Sequence, residues 1–229
     1  MVSGAWVEEL SAERAALGRA STAGRVAEIL RSHVTEGRLP PGTRLSEEDI
    51  GAALGVSRNT LREAFRLLAH ERLLVHEFNR GVFVRRLTVA DVHDLYRFRR
   101  LVEAGALRAC PADAALDDVR RAVEEGEAAA AEGRWVDVGT ANMRFHQSLA
   151  ALSGSPRVEE AMRHVLAELR LVFHVMAAPQ TFHEPYLADN RRILDLLESG
   201  EPDAAATALE RYLTAAEEQL TAAYAAASG

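Results

Sequence analysis

Arg58 and Arg62 stand four residues apart in the stretch LGVSRNTLREAF, residues 54–65. Side chains at that spacing share one face of a helix, so the pair would offer two planar guanidinium forks to one side. Such a fork matches O6 and N7 of guanine in a DNA major groove, worth about 1–3 kcal/mol of discrimination per well-formed pair. Asn59 and Thr60 add groups able to bond a base or a phosphate, and the first free N–H groups of a helix attract phosphate oxygens. An arginine pair on an arbitrary helix mostly does no more than solvate an exposed face. The elements around this one decide between the two readings.

Ser57 reads as the N-cap of a helix running to about His70, with Val56 and Leu61 placed for a hydrophobic staple and Leu61, Phe65 and Leu68 as the core face. Before it, SEEDIGAALG predicts a short helix. Ser46 caps it, three acids crowd its positive end, Ile50, Ala53 and Leu54 form its apolar face, and Gly55 supplies a left-handed stop. Residues 21–37 predict another helix, capped by Ser21 or Thr22, with Val26, Ile29, Leu30 and Val34 at helical spacing. LPPGTRL then forces a turn. Downstream, LLVHEFNRGVFVRR changes to strand period, two β-prone runs flanking a turn at Asn79–Arg80–Gly81. Three helices followed by a small β-hairpin is the order of a winged helix-turn-helix, whose third helix enters the major groove N-terminus first. This assigns residues 21–86 to a DNA-binding domain and leaves 1–20 as an N-terminal extension. The hairpin tip would reach backbone or minor groove.

Beyond residue 90 the pattern is helical throughout, with spans near 90–109, 115–132, 135–152, 156–177, 186–199 and 202–226. The breaks fall at CPAD, EGRW, SGSP, AAPQTFHEP and ESGEPD. Leu209, Leu213, Leu220 and Tyr224 stripe the last helix, and the whole predicts an antiparallel all-α bundle. The fold class is therefore mainly α. Hydrophobic residues make up 48% of the 229, enough for real cores, while aromatics are only 6%. The net charge of −7 argues against nucleic acid until its distribution is considered: residues 1–88 hold 13 arginines against 11 acids, and residues 89–229 hold 14 against 23. A single cysteine, Cys110, excludes an intramolecular disulfide. Acids where a signal peptide would carry bases, and no run of 18 apolar residues, read as a soluble, cytoplasmic protein without a membrane segment.

GRLPPGTRLSEEDIGAALGVSRNTLREAFRLL resembles the GntR family of bacterial transcription regulators, whose pattern runs G-x-L-x-P-G-x-x-L…L-G-V-S-R-x-x-x-R-E-A. The helical remainder, through LYRFRRLVEAGALRAC and ANMRFHQSLAALSGSPRV, resembles the C-terminal FCD ligand-binding domain of the FadR branch. The resemblance implies DNA contacts from Arg44, Ser57, Arg58, Asn59, Thr60, Arg62 and the wing tip Asn79, Arg80 and Gly81. It departs twice: Glu48 stands where the family often has arginine, and Arg72 where it usually has glycine.

In the FCD branch one Asp and three His commonly hold a divalent metal. Here those positions read Asn142, His146, Asn190 and Tyr212. Asparagine offers a neutral carbonyl and tyrosine a protonated phenol, so only His146 remains a good ligand, and one imidazole does not hold zinc. The expectation is no metal cofactor. Instead a polar pocket of Asn142, His146, Asn190 and Tyr212 would bind the effector, with Arg99 either meeting a ligand carboxylate or pairing with Glu103 one turn away. The implied function is a repressor that binds a palindromic double-stranded DNA operator as a homodimer through residues 90–226 and is modulated by a small, carboxylate-bearing metabolite. Two alternatives stay open: a metal site rebuilt with His164 or His174, or a helical small-molecule-binding or enzymatic protein that no longer uses DNA. Against an enzyme, there is no HExxH, no G-x-S-x-G, no glycine-rich phosphate loop, and no nucleophile beside His146. His183, like the other remaining histidines, has no metal-ligand spacing.

Overall fold

The computed structural model describes residues 22–173 and 179–228. The 1–20 extension, the Ser21 alternative for the first cap, and His174 lie outside them. The chain divides between Arg85 and Arg86 into two compact units.

In the first unit, α1 (Thr22–Thr35) buries Ala23, Val26, Ala27, Leu30 and Val34. Ile29, expected in that stripe, is exposed; positions 23, 26, 27, 30 and 34 share one side of the helix, and position 29 falls off it. A turn at Pro40–Gly42 leads to β1 (Arg44–Leu45), then α2 (Glu47–Leu54), α3 (Arg58–His70), β2 (Leu74–Glu77) and β3 (Gly81–Val84). The hairpin is therefore part of a three-stranded antiparallel sheet, order β1-β3-β2, with Arg44 opposite Phe83 and Leu74 opposite Val84. Gly42 N–H donates to the Val84 carbonyl at 2.8 Å, which docks the turn onto the sheet. The caps are local chemistry: Ser46 Oγ accepts from Asp49 N–H, Ser57 Oγ accepts from Thr60 N–H, both at 3.2 Å, and Gly55 is left-handed. In α2 the buried residue is Gly51, against the Val56 carbonyl, and Ala53 is exposed. Leu61, Ala64, Phe65 and Leu68 of α3 are fully buried. Glu71, just past α3, takes Arg31 of α1 in a two-pronged pair at 2.7 and 2.5 Å.

The second unit is an antiparallel bundle of α4 (Val89–Arg108), α5 (Asp117–Ala131), α6 (Trp135–Ala151), α7 (Pro156–Phe173), α8 (Pro179–Glu198) and α9 (Pro202–Ser228). Helix α6 is central, packed on α4, α5, α7 and α8. A capping box between Thr88 and Asp91 starts α4. Glu217 ties α9 to α4 by accepting from His93 and Arg100. One expectation fails: the penultimate helix begins at Pro179 rather than 186, with Pro185 inside it. Proline removes the N–H that would bond the carbonyl four residues back. That carbonyl, on Thr181, accepts instead from Gln219 Nε2 of α9 at 3.1 Å. Buried Phe182, His183 and Tyr186 anchor the same turns. No helix among the described residues is long and apolar enough to cross a membrane.

Candidate functional site

The capped start of α3 displays its polar residues outward. Ser57 and Thr60 hydroxyls are 2.8 Å apart, fixing the first turn, and Arg58 and Asn59 are exposed beside them. Arg58 makes no ion pair among the described residues, whereas Arg62, 62% exposed, donates from Nε to both carboxylate oxygens of Glu47, at 3.0 and 3.1 Å. That hydrogen bond and charge raise the Arg62 pKa further. The two arginines, alike in sequence, thus differ in state. Arg66 pairs with Glu63 on the exposed face of the same helix.

The turn before α2 and the wing converge on α3. Arg44, Ser46, Glu47, Arg58 and Gly81 line a cleft of about 350 Å³, and Glu48, at the position where the resembled family often has arginine, puts an acid into it. The φ of Gly81 is +112°, a conformation that favours glycine, and the Arg44 guanidinium lies in contact distance beside it. Asn79 takes φ +58° at the wing tip. Arg80 pairs with Glu77 and lies over the Phe83 ring at 5.6 Å, so it braces the hairpin. Phe78, absent from the sequence expectations, is 91% exposed at the same tip. Arg72, the other departure, is left-handed at φ +58°, the conformation that glycine takes at no steric cost.

Inside the bundle, four helices bring the effector candidates together as one hydrogen-bonded chain. Arg99 Nε of α4 donates to Glu103 Oε1 at 2.7 Å. Glu103 Oε2 faces His146 Nδ1 of α6 at 2.7 Å, and His146 Nε2 faces the Tyr212 hydroxyl of α9 at 3.1 Å. Asn142 Oδ1 accepts from Tyr212 at 3.2 Å and from Asn190 Nδ2 of α8 at 2.8 Å. All six side chains are buried. Burial alone would raise the Glu103 carboxyl, but Arg99 and His146 hold it below its ordinary range. Burial pushes His146 down against the pull of Glu103, which favours the neutral ring with its proton on Nδ1. Burial pushes the Tyr212 phenol up, so it stays protonated.

Arg99 is thus both buried and paired with Glu103, and it reaches the rest of the chain only through that carboxylate. Sequence reasoning saw Glu103 as a partner of Arg99 and missed its bond to His146. It also missed His183, which lies two turns before Asn190 on α8, because that helix was expected to start later. His183 packs over Gly139, where a Cβ would come within 2.8 Å of Nε2. Burial and Arg170 lower its pKa to about 4. Among the described residues three buried polar atoms have no partner: Arg99 Nη2, Asn190 Oδ1 and His183 Nδ1. The last two border a small cavity closed by Gly126 and Val138, with room for one water. The donor set does not suit a divalent ion: both His146 nitrogens are engaged, and the other three groups are two amides and a phenol. His164 is not part of the chain, and no cluster of three His, Cys, Asp or Glu with metal-binding geometry occurs among the described residues.

Comparison with known proteins agrees with both halves. The profile of bacterial regulatory proteins of the gntR family matches residues 22–84, and that of the FCD domain matches residues 94–215. An uncharacterized HTH-type transcriptional regulator from an unstable DNA locus of Streptomyces ambofaciens is 34% identical over 194 residues, 81% of this chain and 79% of that protein. The probable D-xylose utilization operon transcriptional repressor of Paenarthrobacter nicotinovorans is 29% identical, over 87% and 88% of the two chains. The crystal structure of a GntR transcriptional regulator from Rhodococcus sp. RHA1 superposes with a TM-score of 0.84 at 47% identity, over 89% of this chain and 99% of that one. The chain belongs to the GntR family of bacterial transcription regulators and joins a GntR helix-turn-helix domain to a C-terminal FCD domain.

Proposed function

We propose that this regulator is a ligand-responsive repressor of the FadR branch, acting in the cytoplasm as a homodimer on a palindromic operator. Arg58 and Arg62 read bases, Ser57 and Thr60 seat α3 on phosphate, and Arg44 and the wing tip hold the flanking backbone. One helix-turn-helix reads only a few base pairs, so selectivity calls for two copies, paired through the helical half.

The effector enters at the buried chain and needs no metal. The observation that carries this reading is the polar chain across α4, α6, α8 and α9, closed to solvent yet unsatisfied at Arg99 Nη2 and Asn190 Oδ1. Its charge bears on the ligand. The carboxylate reading of Arg99 meets an obstacle, since Glu103 already balances that cation. A neutral, hydroxyl-bearing metabolite suits that charge balance better, and it needs the helices to part, because the cavity at Asn190 holds one water and Arg99 is not in its lining. The D-xylose name of one relative points the same way. A carboxylate would have to replace Glu103 as the partner of Arg99.

Fluorescence anisotropy on the promoter region of its own gene, with pentoses, sugar acids and small carboxylates as effectors, tests the reading. A hydroxyl-rich compound should weaken operator binding and raise the thermal midpoint, and Asn190→Ala should abolish both effects. Failure of every operator fragment to bind more tightly than unrelated DNA would refute the regulator reading. Elemental analysis of untagged protein should find no stoichiometric zinc, nickel or manganese; metal that vanishes in His146→Ala would overturn the metal-free site.

A further inference from the structure

We propose that Glu47 is a positioning residue for base readout: it holds the Arg62 guanidinium so that only its two Nη groups can meet a base. The inference rests on the assignment of Arg62 to base reading made above. Glu47 lies in the first turn of α2, and Arg62 in the second turn of α3, across the turn of the helix-turn-helix. The contact is made by Nε alone, to both carboxylate oxygens at 3.0 and 3.1 Å. Nη1 and Nη2 have no partner among the described residues.

The consequence follows from the shape of the group. A guanidinium is planar, so fixing Nε against a carboxylate sets the direction of the opposite edge. Glu47 is the less exposed partner, its side chain 30% exposed against 62% for Arg62, so the arginine still reaches solvent. With Nε committed, Arg62 cannot grip guanine side-on through Nε and Nη2; it reads end-on through Nη1 and Nη2. Removing the restraint frees a long side chain whose immobilisation must then be met on binding, which for one such side chain is about a three- to tenfold penalty. Stability is a poor alternative reason for the pair, because exposed ion pairs contribute little. An acid facing DNA also repels phosphate, so Glu47 trades general affinity for selectivity.

Glu48 supplies the control. It stands in the same first turn, carries the same charge and borders the same cleft, but no bond joins it to Arg62. An operator is selected from a randomised duplex library with the wild-type protein. Affinities are then measured for every single-base variant of one half-site and for an unrelated duplex. Arg62→Ala should erase a guanine preference at one position. Glu47→Ala should lower the preference at that same position about three- to tenfold, leave the other positions unchanged and strengthen binding to the unrelated duplex. Glu48→Ala should strengthen unrelated-duplex binding with every preference intact. Glu47→Gln, which keeps one acceptor for Nε, should fall between, and it serves as the test if Glu47→Ala does not fold, judged by its thermal midpoint. Glu47→Ala with an undiminished preference at the Arg62 position, or with an equal loss at all positions, overturns the inference. Arg62→Ala with all preferences intact overturns instead the assignment of Arg62 on which it rests.

Discussion

At the scale of single residues, Arg72 and His183 are each held in a condition their chemistry resists. Arg72 adopts φ +58° in an exposed turn, which costs a side-chain-bearing residue about 1–2 kcal/mol relative to its usual conformations. We expect Arg72→Gly to raise the unfolding free energy by about 0.5–1 kcal/mol once the extra freedom of unfolded glycine is subtracted, readable by urea denaturation. His183 is kept neutral by burial, with a folded pKa of about 4 against the ordinary 6.5. The unfolded chain therefore takes up the proton first, and the stability that His183 contributes is full above pH 6.5 and drains as the pH falls towards 4. Between pH 8 and pH 5 this amounts to about 2 kcal/mol, and His146, shifted the same way, adds to it. Thermal midpoints should fall over that interval in the wild type and fall less in His183→Gln; equal slopes would contradict the assignment. Gly139→Ala belongs to the same contact. Its new methyl would meet Nε2 of His183, and a loss of about 1–3 kcal/mol is the expected result of overpacking.

Among the elements, what was legible in the sequence was what local chemistry decides. Ser46, Ser57 and Gly55 mark helix ends through bonds made within four residues, so α2 and α3 stand where the sequence puts them. β1 escaped because two residues carry no period; only its partner β3, nearly forty residues on, makes it a strand. The start of α8 escaped because Pro185 is a sound local stop signal that a distant side chain overrides. Gln219 both caps the Thr181 carbonyl and accepts from the Tyr186 hydroxyl at 2.7 Å. Gln219→Ala should therefore cost about 1–2 kcal/mol and speed amide hydrogen exchange selectively in residues 179–186. Uniform exchange across α8 in that variant would mean the carbonyl is satisfied some other way. The candidate effector site divides along the same line. Asn142 and His146 declare their shared face by spacing, but the link from Glu103 to His146 spans 43 residues and exists only in the folded bundle.

For the whole molecule, a net charge of −7 sits beside a DNA-binding half whose bases are all arginine or histidine. Binding must then depend on a few arginines set against phosphate rather than on a general positive field. We expect operator affinity to fall on the order of a thousandfold between 50 and 200 mM salt if a dimer makes about six phosphate contacts. A nearly flat salt dependence by anisotropy would remove phosphate contact as the basis of binding. Arg58→Ala should leave that slope unchanged if the residue touches only a base, and reduce it by about two, one for each protomer of a dimer, if it touches phosphate.

The Tyr212 hydroxyl has one proton and two acceptors within reach, His146 Nε2 at 3.1 Å and Asn142 Oδ1 at 3.2 Å. Asn142 Oδ1 keeps its bond from Asn190 either way, so a proton given to it leaves the neutral His146 short by one hydrogen, and Asn190 Oδ1 is short by another. At the far end Arg99 Nη2 has both its hydrogens to spare. The interior is thus balanced in charge but mismatched in protons: acceptor-rich towards α6 and α8, donor-rich towards α4. A guest that mends both ends must give at one and receive at the other. If the proposed effector enters here, hydrogen-bond parity is what selects it, and a simple ion of either sign answers only half of what is asked.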